Sequence, residues 1–128
     1  MSGRHLPADH SKGDESTLGG YMAVHDRPAA FEGSDSLSYS VSIESEPTGD
    51  SRAPWAAYIL FVRWGSGEPR VTGHLETGFL SKCATEEEAR SLVGAFPLHE
   101  VKLLLDTLIR ESAPASALPW WEAMNSDT

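Results

Sequence analysis

Acid–base, metal or anion chemistry would fall to His25, Asp26, Arg63, His74 and Glu76, whose side chains are the best suited to it in this chain. Two imidazoles flanked by carboxylates are the donor types that hold a divalent cation or move a proton near neutral pH. His74 and Glu76 sit two apart in a β-type run, and residues i and i+2 of a strand share a face. Arg63, at the end of another such run, adds a guanidinium suited to an anion. His25 and Asp26 are adjacent, however, and nothing in the spacing brings residue 25 to residue 74. These five define the second of two functional readings: a small-ligand- or metal-binding protein, or a minor enzyme.

Other routes to chemistry are closed more firmly. No Gly-x-Ser-x-Gly elbow occurs, and Gly65-Ser66-Gly67 lies between two β-type runs rather than before the helix that a phosphate cradle needs. The single Cys83 cannot form an internal disulfide or a cysteine-pair zinc site, and it reads as a small packing residue. No catalytic residue, resident metal or cofactor is assigned. With 19 acidic against 10 basic residues the formal charge is −9, which disfavours nucleic acid and anionic membrane, since phosphate recognition rests on Lys and Arg. No run reaches the roughly 20 apolar residues of a bilayer span, and the polar start does not resemble a signal peptide. A soluble cytoplasmic protein is expected.

The elements that would position these groups follow from hydrophobic period. Residues 1–20 have little apolar surface to bury and are expected to form a disordered arm. Tyr21 to Val24 could make a short edge strand. Leu37, Tyr39, Val41 and Ile43 alternate with serines and Glu44, which predicts a half-buried strand. Trp55 to Trp64 forms the next, and residues 70 to 80 a third, with Val71, Gly73, Leu75, Thr77 and Phe79 inward. Thr85-Glu86-Glu87-Glu88 has the form of a capping box and starts a helix with a stripe of Ala89, Leu92, Val93 and Phe96. Val101, Leu104, Leu105, Leu108 and Ile109 define a second helix, ended by Pro114. The fold class is therefore α+β: an antiparallel three- to four-stranded meander followed by two C-terminal helices packed on one face. One domain is expected over residues 21–112, with a tail at 113–128.

The strand from Trp55 to Trp64 is apolar on both faces, with Tyr58, Leu60, Val62 and Trp64 on one and Ile59 and Phe61 on the other. An antiparallel sheet covered on one side only should be polar on its second face. Ile59 and Phe61 are read as lying on that second face, to be covered by the chain's own termini, a second copy, or a different partner or small ligand. Trp120 and Trp121 are the other candidate anchors, because Trp is enriched at binding hot spots. The first functional reading is thus a small non-enzymatic interaction or regulatory domain, a protein partner or self-association being served by Ile59, Phe61, Trp120 and Trp121.

Overall fold

The computed structural model describes residues 8–64 and 71–117. A 3-10 turn over His10–Lys12 is followed by α1 (Leu18–His25), β1 (Ala30–Glu32), β2 (Ser38–Pro47), β3 (Trp55–Trp64), β4 (Val71–Glu76), β5 (Ser81–Cys83), α2 (Glu86–Gly94) and α3 (Leu98–Ala117). All strand pairs are antiparallel, in the order β1-β2-β3-β4, and β5 pairs with β3 beyond the end of β4. Helices α2 and α3 pack on the sheet, giving the mixed α+β class that the periodicities predict. The Gly65–Pro69 turn lies outside the described residues, as do Trp120 and Trp121.

Register decides which side of the sheet is core. Val41 pairs with Phe61, Ile43 with Ile59 and Tyr39 with Arg63, so the apolar side of β2 continues into the odd-numbered residues of β3. Helix α2 packs against β2 and β3 there. Ile59 and Phe61 are consequently 0% exposed and lie at the centre of a core with Leu18, Tyr39, Val93, Val101 and Leu105. This corrects the expectation that they face outward. The other face of β3 carries Tyr58, Leu60, Val62 and Trp64, each half-buried.

The expected arm and edge strand are replaced by a helix. Thr17 caps α1, its hydroxyl accepting from the Gly20 N–H at 3.1 Å, and Leu18 is fully buried. The boundary expected at Gly20 therefore falls inside an element, and Met1–Pro7 lie outside the described residues. Two glycines at the start of an eight-residue helix cost about 1 kcal/mol each in intrinsic propensity, which masks the helix in the sequence. Packing reverses the preference: a Cβ on Gly19 would stand 3.1 Å from the Gly94 Cα, so the bare backbone lets α1 and α2 cross closely. Gly20 is tighter still, a Cβ there falling 1.9 Å from the Asp14 carbonyl oxygen.

Three smaller expectations also change. The strand expected over residues 70 to 80 is interrupted at 77–80. The Thr77 hydroxyl accepts from the Ile59 N–H at 3.0 Å and the Leu80 N–H donates to the Ala57 carbonyl, which pushes Phe79 out to 46% exposure. On α2, Ala89 and Val93 are buried but Leu92 is exposed, because the sheet contact is narrower than a four-residue stripe. Pro114 does not end α3, which continues to Ala117. Proline removes one N–H from the helix ladder, and the alanines around it favour the helical backbone. The tail boundary expected after Ser112 thus lies within α3.

Candidate functional site

The five residues of the ligand-site reading do not converge. His25 ends α1, and Asp26 caps that helix in the left-handed conformation, at φ 52°, with its side chain exposed. Arg63 points to the inner side of β3, where its guanidinium lies over Gly73, 2.6 Å from where a Cβ would stand. His74 and Glu76 are exposed on the opposite side, paired with Val62 and Leu60. Strand parity therefore sets Arg63 against the two groups it was expected to join. Beside it, burial and the bond from its hydroxyl to Asp35 Oδ2, 2.7 Å, hold the Tyr39 phenol above its ordinary range, partly opposed by Arg63.

His25 instead belongs to a cluster that the sequence reading did not assemble. Its Nε2 is 2.8 Å from Glu15 Oε2, and His10 Nε2 is 2.9 Å from Glu15 Oε1, so one carboxylate bridges two imidazoles. The His25 ring stacks 4.4 Å from Tyr21, whose hydroxyl accepts from Arg27 at 2.8 Å. A signal was present in the repeated Asp-x-Ser: Asp9 accepts from the Ser11 N–H and hydroxyl, and Asp14 does the same with Ser16. Such Asx turns tie a polar segment down without apolar burial. Among the described residues no group of three His, Cys, Asp or Glu could hold a metal ion, and the cluster acts as a clasp for residues 9–16.

Acid should open that clasp. Hydrogen bonds from Ser11 hold Asp9 below the usual carboxyl range, those from Ser16 do so for Asp14, and His25 then His10 for Glu15. A carboxyl lowered in the folded state stabilises above its unfolded pKa, near 4, and that contribution is lost as pH falls through the lowered value. Below about pH 4, amide chemical shifts of Ser11 and Ser16 are expected to move toward unfolded values while those of Leu105 stay native. Simultaneous loss of all three would show that the segment has no separate acid-sensitive ties.

A hollow of about 710 Å³ lies where α1, α2 and Ile43 meet, and its lining contains neither histidine nor cysteine. Glu86 and Arg90 there are engaged with Ser45, and Arg90 also donates to the Ile43 carbonyl at 2.7 Å. Cys83 is half-buried and packs against the core, as expected of a small packing residue. Thr85 caps α2 as its capping-box pattern predicts, accepting from the Glu88 N–H at 3.1 Å.

The distinctive surface is the outer face of the sheet. Tyr58, Leu60, Val62 and Trp64 form an apolar stripe along β3, half-buried by their neighbours and outside the core cluster. Register borders it with Glu44, Ser42, Ser40 and Ser38 on β2, and with Glu76 and His74 on β4. The Trp64 indole N–H donates to the Ser40 hydroxyl at 2.7 Å, holding the ring against the sheet. Tyr58 marks the acidic end: partial desolvation, then the charges of Glu76, Glu46 and Glu44, raise its phenol above the ordinary value. Exposed Phe79 stands 6.2 Å from the Tyr58 ring beside a shallow depression of about 400 Å³. No known protein family, curated protein or solved structure matches this chain.

Proposed function

We propose that the protein is a small non-enzymatic interaction domain that assembles through the outer face of its sheet. The observation that carries this reading is the Tyr58, Leu60, Val62 and Trp64 stripe on a central strand, where a one-sided antiparallel sheet should present polar residues. Apolar surface flanked by polar side chains is the composition of a protein-docking patch. The scattered His25, Asp26, Arg63, His74 and Glu76 give the ligand-binding reading less support. The docking role first assigned to Ile59 and Phe61 passes to their even-numbered neighbours.

Light scattering on the full chain tests this. Its mass is expected to exceed that of the 13.9 kDa monomer. Leu60→Glu is expected to return it to the monomer with unchanged circular dichroism, because Leu60 lies outside the core. A wild-type chain that stays monomeric up to millimolar concentration would overturn the proposal.

A further inference from the structure

One edge of the sheet is only partly covered by strand. β1 is three residues long and pairs with β2 at Ser38, Tyr39 and Ser40. The Val41 N–H still donates to the Ala29 carbonyl at 2.9 Å, and past it no described strand lies along β2 on that side. Backbone polar groups alternate in direction along an antiparallel strand, so Ile43 and Ser45, two and four residues on from Val41, also turn their N–H and C=O groups to this edge. Ser42 and Glu44 turn theirs to β3. The hollow between α1 and α2 opens beside the edge, bounded by Gly19, Ile43, Glu86, Arg90 and Gly94. Among the described residues the edge is met by one cationic side chain. Arg90 donates from Nη1 to the Ile43 carbonyl at 2.7 Å and from Nε to the Ser45 hydroxyl at 3.1 Å. The Glu86 carboxylate, one helical turn earlier, accepts from the same hydroxyl and lies 3.7 Å from the Arg90 Nε.

We propose that Arg90 guards the free edge of β2, filling the place where another extended chain would add a strand. A guanidinium carries enough donors to hold a carbonyl and a hydroxyl at once, and it stays charged at any pH the fold survives. The helix that presents it is fixed by the Thr85 cap and by buried Ala89 and Val93. The chain it excludes is β2 of a second copy, the one extended strand that every solution of this protein contains. Two Ile43–Ser45 edges could pair antiparallel about a two-fold axis, each supplying donors and acceptors that the other lacks. Such pairing requires the Ile43 carbonyl to release Arg90, which leaves a charge beside the new ladder without its acceptor. The guard therefore makes strand addition costly while leaving the pairing of β2 with β3 untouched. It acts in the plane of the sheet and is independent of the outer face.

Removing the guanidinium while keeping its aliphatic stem tests this. Mass by sedimentation velocity and amide hydrogen exchange would be measured for wild type, Arg90→Met, Ser45→Pro and the double variant. In the wild type the Ile43 and Ser45 amides are expected to exchange faster than those of Ser42 and Glu44, which face β3. Arg90→Met is expected to raise the mass to about twice the wild-type value or more at equal concentration, by joining copies across a two-fold axis. It is also expected to slow exchange at Ile43 and Ser45 about tenfold or more. Ser45→Pro removes an edge N–H that β3 does not use, a position where a strand tolerates proline. The single Ser45→Pro variant is therefore expected to keep the wild-type mass, and the double variant to return to it. Unchanged mass and exchange in Arg90→Met would overturn the proposal. Growth that Ser45→Pro fails to reverse would also overturn it, by placing the new contact elsewhere. Loss of native circular dichroism in Arg90→Met would overturn it too, since Arg90 would then support the fold rather than guard an edge.

Discussion

Phe61→Ala is expected to lower stability by about 3–5 kcal/mol, the range for truncating a fully buried aromatic side chain. Phe61 is 0% exposed and stands between Val41 and Leu75 on the inner side of the sheet, where α2 packs. A domain of this size is stable by about 5–15 kcal/mol in all, so this one change removes a large part of the total. Val62→Ala, one residue along but on the outer face, is expected to cost about 1 kcal/mol. Urea unfolding followed by circular dichroism distinguishes the two, the Phe61 variant shifting its midpoint far more at similar slope. A Phe61→Ala protein with a wild-type midpoint but a smaller assembly mass would return Phe61 to the docking face and overturn the register described above.

Leu18→Ala carries the second large effect, expected at about 2–5 kcal/mol. Leu18 is 0% exposed, and its N–H donates to the Phe96 carbonyl at 2.9 Å, joining the start of α1 to the end of α2. The Asp9 N–H likewise donates to the Val24 carbonyl, folding the preceding segment back along α1. Thermal unfolding is expected to show the loss as a downward shift of roughly 10 °C or more, given about 4–8 °C per kcal/mol in small domains. An unchanged midpoint would show that residues 9–25 sit on the domain without contributing to it, as a mobile arm would.

The elements that could be read from the chain are those whose signals are local. Tyr39, Val41 and Ile43 announce β2 by their period. Thr85 and Glu88 announce the start of α2, and Val101, Leu105 and Ile109 the buried side of α3. The candidate site was less legible. His74 and Glu76 share a face because they lie on one strand, but nothing in the sequence showed that Arg63 points the other way. Helix α1 was hidden because Gly19 and Gly20 disfavour an isolated helix and gain their value only at the crossing with Gly94.

By itself, then, the sequence determined an acidic α+β chain, the positions of its longest strands and both C-terminal helices, and the existence of a strand apolar on two sides. Only the tertiary structure decided which side is core. Period-2 alternation is unchanged when a strand is turned over, so Ile59 and Phe61 could not be told from Leu60 and Val62 as interior residues. The pairing of Val41 with Phe61 and of Ser40 with Val62 removes that degeneracy, because residues opposite one another on neighbouring strands share a face. The buried side then follows β2, and Tyr58, Leu60, Val62 and Trp64 are left on the opposite face.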